Sequence, residues 1–203
     1  VKATGDNQNP SSIYNSYTGV QWACENGANV VSMSYGSENS SNAMQDLIYA
    51  YPEVVFIAAA GNDSSSTQNY PAAYQNVIGV GSVDSNDLRS SFSNYNVGFP
   101  WVDIAAPGGY SYGGLLSTVY TESLNGYARF GGTSMATPFA AGLVGLMLSV
   151  NPSLTPIQIQ NCLVNSGVDI NQNIGPRIDA YQALLCVQPE NDNPIPAFTA
   201  SPQ

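Results

Sequence analysis

Residues 130–138 read FGGTSMATP and are followed by an apolar run that continues to Val150. Paired glycines let a backbone approach another group closely, and the long apolar run predicts a buried helix over residues 134–150. Ser134 would then lie at the start of that helix, where unpaired N–H groups and the positive end of the helix dipole favour an oxyanion. Pro138 is expected early in the helix, where a missing N–H costs least. The plain alternative is a glycine turn with a serine cap.

Four short apolar runs, rich in β-branched residues and bounded by Gly, Asn or Pro, predict strands. They cover residues 30–34, 54–60, 77–80 and 102–105. Amphipathic stretches predict further helices over residues 11–26, 42–51, 155–166 and 178–186, with Thr155 as the cap and Pro156 in the first turn of the third of these. Near-continuous apolar strands are typical of a parallel sheet with both faces covered. The order therefore predicts an α/β fold with a doubly wound, mostly parallel sheet.

The composition limits the classes of function. The 203 residues allow one domain with a short tail, and 4 Lys and Arg against 14 Asp and Glu give a net charge of -10. That balance argues against nucleic-acid binding, which needs clustered basic residues. No apolar run approaches the roughly 20 residues that cross a bilayer, so no membrane segment is expected. An acidic, Lys-poor, Tyr- and Ser-rich composition favours a secreted, extracellular protein. The abrupt start at Val1 predicts a processed chain or a part of a longer one.

Cys24, Cys162 and Cys186 make an odd cysteine count. Cys162 and Cys186 could pair across the intervening chain, which would stabilise the fold by about 3 kcal/mol. The alternative is three buried free thiols. If the pair forms, Cys24 is free or bonded to a cysteine upstream. The cysteines form no CxxC pair and the chain has no histidine, so no zinc site is expected.

The sequence becomes polar and proline-rich after Gln188. Residues 189–194 read PENDNP, which is typical of a linker. Residues 195–202 read IPAFTASP and resemble the opening of polycystic-kidney-type immunoglobulin-like modules, although a flexible tail explains them equally well. We therefore expect one domain over residues 1–187, with residues 188–203 as a linker and the possible start of a second module.

The nucleophile segment has a family resemblance. Residues 132–138, GTSMATP, resemble the nucleophile signature of the subtilisin-like serine proteases, the subtilases of peptidase family S8. PFAAG at 138–142 is similar to the family's continuation into a central helix, and NPSLT at 151–155 resembles the break before its next helix. The resemblance implies an endopeptidase that forms an acyl-enzyme on Ser134. It covers residues 1 to about 187, the C-terminal two-thirds of a catalytic domain, and implies a sheet that is incomplete at its N-terminal side.

Two other segments resemble the family's substrate and oxyanion sites. AAGN at 59–62 resembles the oxyanion segment, which implies that the Asn62 amide donates to the tetrahedral intermediate and that Ala60 and Gly61 contact substrate. NVVSMSYG at 29–36 resembles the substrate strand. Ser34, Tyr35 and Gly36 would pair with an extended peptide as an added strand and wall the pocket for its side chain. Taken alone, Asn62 would more often be a turn residue and residues 34–36 an ordinary strand end.

Two more segments match structural landmarks of the family. They are YPA at 70–72 and DIAAPG at 103–108, in which proline and glycine fix turns. Asp103 is expected to cap or bond locally rather than to react. Calcium is common in the family, so the loop oxygens of Asp84, Asn86 and Asp87 are a possible calcium site, although Asx-rich loops are more often plain turns. No cofactor is otherwise required.

The chain contains no histidine, yet a serine protease of this type needs one as its base. In the family the aspartate and histidine precede the serine, and residues 1–3 resemble the strand that follows the histidine helix. We therefore expect an upstream segment of the protein to supply the histidine and the aspartate to a site that binds a peptide or protein substrate. We expect this chain alone to be inactive. The alternatives are a catalytically inactive binding or assembly module on the same fold, and an esterase or peptide ligase.

Overall fold

The computed structural model describes residues 15–109, 113–120 and 125–188. The helices are α1 (Ser16–Glu25), α2 (Asn42–Ala50), α3 (Thr133–Val150), α4 (Pro156–Ser166) and α5 (Ala180–Cys186). The strands are β1 (Val30–Met33), β2 (Val55–Ala59), β3 (Val77–Val83), β4 (Ile104–Pro107), β5 (Leu115–Tyr120) and β6 (Asn125–Phe130).

A parallel sheet with strand order β1-β2-β3-β4 forms the centre of the fold. Every residue of β2 is buried, because side chains leave the strand alternately toward two covered faces. Phe56 and Ala58 join the core beneath α1 and α2, whereas Val55 and Ile57 join the core beneath α3, α4 and α5. The predicted α/β class with a parallel sheet is confirmed.

Helix α3 lies across the sheet and contacts all four of its strands. Its buried face includes Ala136, Ala140, Val144 and Met147, which pack onto β2, β3 and β4. Within the described residues α3 alone is long and apolar enough to cross a membrane. Its packing against the sheet instead makes it the core helix that the sequence predicted, and it fixes the position of Ser134 over the sheet.

Strand β4 differs from its predicted bounds. It was expected at residues 102–105 and instead begins at Ile104. The reason is the side chain of Asn96, whose Oδ1 accepts hydrogen bonds from the N–H groups of Trp101 and Val102, both at 2.9 Å. Its Nδ2 also donates to the Val102 carbonyl at 2.9 Å. Val102 is buried, but its backbone is bonded to a side chain rather than to β3.

Strands β5 and β6 form an antiparallel pair that was not predicted. The sequence of β5, LLSTVY, carries the usual strand residues. The sequence of β6, NGYARF, has little apolar alternation, so its pairing depends on its partner rather than on its own pattern. Strand β6 ends at Phe130, and the two glycines that precede the Thr133–Ser134 turn follow directly.

Most helix ends agree with prediction within two residues. The Thr155 cap is confirmed, because Thr155 and Gln158 form a reciprocal capping box. Helix α5 begins at Ala180 rather than Ile178, since the Ile178 N–H donates to the Ala105 carbonyl at 2.9 Å and joins β4. The first residues of the predicted helix 11–26 lie outside the described residues, and α1 begins at Ser16.

Of the two alternatives that the sequence left open for Cys162 and Cys186, the disulfide is present, with Cα atoms 5.9 Å apart, and it joins α4 to α5. Cys24 is a buried free thiol. The predicted linker and module at 188–203 lie outside the described residues apart from Gln188, as does the strand predicted at residues 1–3.

Candidate active site

Ser134 lies in the first turn of α3, beside the segment that follows β1. Its Oγ donates a hydrogen bond to the Ser34 carbonyl at 3.2 Å, and the Ser34 hydroxyl donates to the Ser134 carbonyl at 2.9 Å. Both serines line a cavity of about 620 Å³, together with Asn62. The structure therefore brings three of the predicted site residues to one cavity at the carboxyl ends of neighbouring parallel strands, where sites of α/β proteins form.

The expectation for Pro138 was wrong. Pro138 is the sixth residue of α3, so it lies beyond the first turn, where a missing N–H does remove a helical hydrogen bond. In a regular helix the N–H at this position would bond to the carbonyl four residues earlier, which is that of Ser134. The Ser34 hydroxyl donates to that same carbonyl. A side chain from the strand end thus replaces the backbone donor that proline lacks.

Asn62 follows β2 and faces the start of α3. Its Oδ1 accepts hydrogen bonds from the Thr133 N–H and from the Thr133 hydroxyl, both at 2.9 Å. Because the oxygen is engaged by two donors, the amide orientation is fixed and Nδ2 is the group left to donate into the cavity. The N–H of Ser134, in the first helical turn, is a second donor beside it. The pair can stabilise an oxyanion that forms at Ser134.

Thr133 is a positioning residue that the sequence reasoning missed. Its fully buried hydroxyl accepts from the Gly61 N–H at 3.1 Å while donating to Asn62. It thereby joins the end of β2 to the start of α3. The available signal was its place directly before Ser134, since a threonine there carries a second polar group into the same turn.

The backbone around Gly61 needs glycine. Gly61 has a φ of +105°, a conformation that side chains with a Cβ rarely adopt. The loop that follows is held by Asn94, whose Oδ1 accepts from the N–H groups of Asp63 and Ser65 at 2.9 and 3.0 Å. Asn62 therefore projects from a fixed turn. Ala60 and Gly61, predicted to contact substrate, lie at the base of this turn and do not line the 620 Å³ cavity.

A close contact between two glycines fixes the segment before the helix. The Gly132 N–H donates to the Gly108 carbonyl at 2.7 Å. A Cβ on Gly108 would lie 2.6 Å from the Gly132 carbonyl oxygen, so only glycine allows this approach. The landmark at residues 103–108 is structural, as predicted, because it holds the chain that enters α3.

The predicted substrate segment leaves the sheet after β1. Ser34, Tyr35 and Gly36 belong to no strand within the described residues. The segment is anchored at Ser37, whose backbone exchanges two hydrogen bonds of 2.8 Å with Tyr70. All three residues line the 620 Å³ cavity, and their roles in substrate binding stay predictions.

Tyr35 is the least expected member of this segment. Its hydroxyl is buried and has no hydrogen-bond partner among the described residues. Burial raises the pKa of Tyr35 to about 12, so the phenol is neutral over the ordinary pH range. Tyr35 lines both the 620 Å³ cavity and a second cavity of about 230 Å³ between α1 and β1.

Asp103 lies away from Ser134 and is not part of the site. Its carboxylate accepts from the Gly79 N–H at 2.7 Å and from the Gln160 amide at 3.1 Å. These partners are 24 and 57 residues away in the sequence. The role of Asp103 is therefore structural, but the expectation that it would bond locally was wrong. Burial raises the pKa of Asp103 to about 6, although both hydrogen bonds act in the opposite direction.

The loop considered for calcium uses its carboxylates internally. Asp84 Oδ1 accepts from the N–H groups of Asn86 and Leu88 at 2.8 and 3.1 Å, and Asp87 pairs with Arg177 at 2.8 Å. A cation would compete with these contacts. No group of three His, Cys, Asp or Glu side chains suited to a metal occurs within the described ranges. A calcium site at this loop stays a prediction.

The fold and site define an α/β protein with a serine at the start of its core helix and a side-chain amide oriented beside it. The model of the subtilase family, peptidase S8, matches residues 1–182, and the chain belongs to the subtilase family. It is 40% identical over 154 residues to alkaline elastase YaB of Bacillus sp. (strain YaB), covering 75% of this chain and 38% of that protein.

Two further comparisons agree. Thermitase of Thermoactinomyces vulgaris is 40% identical over 171 residues, which cover 82% of this chain and 57% of thermitase. A solved protease of Pseudoalteromonas arctica PAMC 21717 superposes with a TM-score of 0.77 at 29% identity, covering 85% of this chain and 58% of its own. The chain therefore spans less than two-thirds of each of these relatives.

Proposed function

We propose that this chain is the C-terminal two-thirds of the catalytic domain of a secreted serine endopeptidase, and that Ser134 forms an acyl-enzyme with a peptide substrate. The observation that carries the proposal is the placement of the Ser134 hydroxyl and the Asn62 amide on one cavity, with the amide oriented by Thr133. A glycine turn with a serine cap needs no such oriented donor.

In the proposed reaction the Ser134 Oγ attacks the carbonyl carbon of the scissile bond. The carbonyl oxygen becomes an oxyanion that accepts hydrogen bonds from Asn62 Nδ2 and from the Ser134 N–H. In subtilisin itself, a member of this family, loss of the asparagine donor lowers kcat by about 10²–10³. The amine leaves with the proton that the base has taken from Ser134, and water then hydrolyses the remaining acyl-enzyme.

The Ser134 proton needs an acceptor that this chain does not supply, because it contains no histidine. In the structure the proton is directed to a backbone carbonyl, that of Ser34, which is not a base. We assign the base and its orienting aspartate to an upstream segment. In subtilisin the loss of the histidine alone lowers kcat by about 10⁶, so the chain by itself should be nearly inert.

An uncovered apolar face of α3, and an edge of β1 that has no partner among the described strands, support an upstream segment. On α3, Phe139, Leu146 and Val150 are 49%, 53% and 40% exposed and share one helical face. At the sheet edge, β1 pairs only with β2 among the described strands, and the 230 Å³ cavity beside it is lined by Val20, Val31 and Met33. Surfaces of this kind normally pack against another element.

Secretion is supported by the cysteines and the charge. The Cys162–Cys186 disulfide suits an oxidising compartment. The net charge of -10 with only 4 basic residues suits a soluble extracellular protein. A peptide substrate is supported by Ser34, Tyr35 and Gly36, which leave the sheet beside Ser134 and can pair with an extended chain.

The test is labelling of the full-length protein with a fluorophosphonate probe, followed by mass spectrometry of the adduct. We expect one adduct, on Ser134, that is lost in Ser134→Ala and retained in Ser153→Ala, a matched change at an exposed serine outside the site. The chain of residues 1–203 alone should not be labelled. Absence of an adduct in the folded full-length protein would contradict the proposal and favour a binding module on the same fold.

A further inference from the structure

The side chain of Asn94 ties the turn that carries Asn62 to the chain between β3 and β4. Asn94 is buried, with 2% of its surface exposed. Its Nδ2 donates to the Ala60 carbonyl at 3.0 Å, and its Oδ1 accepts from the N–H groups of Asp63 and Ser65 at 2.9 and 3.0 Å. These bonds fall on both sides of Asn62, so one buried amide holds the backbone before and after that residue.

The turn contains two residues in a left-handed conformation, Gly61 with a φ of +105° and Ser64 with a φ of +50°. Glycine populates many conformations, and a residue with a Cβ is disfavoured at positive φ. Such a backbone persists when the surrounding contacts hold it. Asn94 supplies these contacts, because its N–H donates to the Gly61 carbonyl at 3.0 Å and its Oδ1 binds the N–H groups of the residues on either side of Ser64.

The amide group of Asn94 suits this position. Asparagine combines a carbonyl that accepts two hydrogen bonds with an NH₂ donor on one short side chain, and Asn94 uses both. A carboxylate would lack the donor for the Ala60 carbonyl, and Ala60 is fully buried. A Cβ on Gly61 would lie 2.5 Å from Asn94 Nδ2, so the amide packs directly against the glycine backbone.

Asn62 therefore has two different supports. Thr133 binds its Oδ1 and fixes the rotation of the amide, whereas Asn94 fixes the backbone from which the side chain extends. Asn62 itself is exposed, so packing against neighbouring side chains does little to hold it. An oxyanion donor acts only when it lies at hydrogen-bonding distance from the developing charge, and a displacement of about 1 Å can lower the rate by about 10²-fold.

We propose that Asn94 is a positioning residue, which holds the Asn62 amide at the place where the oxyanion forms. The inference rests on the proposed peptidase function and adds a residue from outside the site to it. Asn94 is not among the residues that line the 620 Å³ cavity, so it acts through the turn rather than on the substrate. Its loss should slow the step in which the oxyanion forms and leave substrate binding nearly unchanged.

The experiment is a double-mutant cycle on the full-length protein, with kcat and KM measured on the peptide p-nitroanilide that the unaltered protein cleaves fastest. Asn94→Ala should lower kcat by about 10–100-fold and change KM by less than about 3-fold. In an Asn62→Ala background the oriented donor is already absent, so the same change should lower kcat by less than about 3-fold. An equal fall of kcat in both backgrounds, or a rise in KM alone, would overturn the inference.

Asn96→Ala is the matched control. Asn96 makes the same set of three hydrogen bonds, since its Oδ1 accepts from the N–H groups of Trp101 and Val102 and its Nδ2 donates to the Val102 carbonyl. These bonds hold the chain that enters β4 rather than the turn of Asn62. Thermal unfolding should show a similar loss of stability in both alanine variants, whereas kcat should fall only in Asn94→Ala. An equal fall of kcat in Asn96→Ala would show a general effect of lost stability and would contradict the role of Asn94.

Asn94→Asp serves if Asn94→Ala fails to fold, because it keeps the acceptor for the N–H groups of Asp63 and Ser65. In the same cycle it should lower kcat when Asn62 is present and have little effect when Asn62 is replaced. If the unaltered protein hydrolyses no peptide and gives no fluorophosphonate adduct, the proposed function fails. If it is active and the two substitutions act independently, only the role of Asn94 fails.

Discussion

Ser34 and Ser134 exchange hydrogen bonds across the end of β1, each hydroxyl donating to the other residue's carbonyl. The bond from Ser34 has a structural cause, since Pro138 cannot donate to the Ser134 carbonyl and leaves it without a helical partner. The nucleophile's helix is thus attached to the proposed substrate segment by a side chain. This arrangement makes the position of Ser134 depend on a residue that is 100 positions away in the sequence.

A double-mutant cycle tests this compensation. Ser34→Ala should lower the free energy of unfolding by about 1 kcal/mol, because the Ser134 carbonyl loses its donor. In a Pro138→Ala background the restored N–H can bond to that carbonyl, so the same Ser34→Ala change should have an effect near zero. Urea unfolding of the four proteins gives the coupling energy. Identical effects of Ser34→Ala in both backgrounds would refute the compensation.

Thr133→Val should reduce catalysis by removing the hydroxyl that orients Asn62. Valine has nearly the same shape but leaves the Gly61 N–H without its acceptor and Asn62 Oδ1 without one of its two donors. We expect kcat to fall by about 10–100-fold with little change in KM, since the oxyanion forms only after substrate binds. Thr133→Ser keeps the hydroxyl and should restore most of kcat. A rise in KM alone, or failure of serine to restore kcat, would point to a purely structural role.

The stability of the protein should depend on pH through Asp103. Its pKa is raised to about 6 in the fold, above an unfolded value of about 4. The folded state therefore binds the Asp103 proton more tightly than the unfolded state does. The resulting contribution to the free energy of unfolding is fully present below about pH 4 and is lost as the pH rises through about 6. Asp103→Asn, which keeps an acceptor for the Gly79 N–H, should stabilise the protein at pH 7 by about 1–3 kcal/mol.

Urea unfolding between pH 4 and 7 measures this effect. In Asp103→Asn the part of the pH dependence that Asp103 contributes should disappear. Asp46→Asn, at an exposed position on α2, should change neither the stability nor its pH dependence by more than about 0.5 kcal/mol. A destabilised Asp103→Asn at pH 7 would mean that its two hydrogen bonds outweigh the burial of the charge.

The disulfide should contribute substantially to stability. It closes a loop of 24 residues between α4 and α5, for which the loss of chain entropy in the unfolded state corresponds to about 3 kcal/mol. Replacing Cys162 and Cys186 together by alanine should lower the free energy of unfolding by that amount. A reducing agent should destabilise the unaltered protein but not the double variant. As a control, Cys24→Ala removes the buried free thiol and should leave the response to the reducing agent unchanged. Equal stability of the unaltered protein with and without the reducing agent would contradict the prediction.

The sequence by itself determined the features that depend on neighbouring residues. The apolar run to Val150 predicted α3, the β-branched runs predicted all four parallel strands, and the Thr155 cap marked the start of α4, because helix and strand periodicity and capping are local properties. The family resemblance identified Ser134 and Asn62 as candidates. The resemblance rests on short motifs, and the structure places both residues on one cavity.

Only the tertiary structure decided what depends on contacts between distant segments. Thr133 orients Asn62 from 71 residues away, Ser34 replaces the donor missing at Pro138, and β6 is a strand because β5 pairs with it. The Asn69 amide packs against Gly36, a contact that the sequence of its polar loop does not predict. The local sequence fixes backbone preference and periodicity. Which groups a hydroxyl or an amide side chain contacts depends on how the whole sheet folds, and no local pattern encodes that.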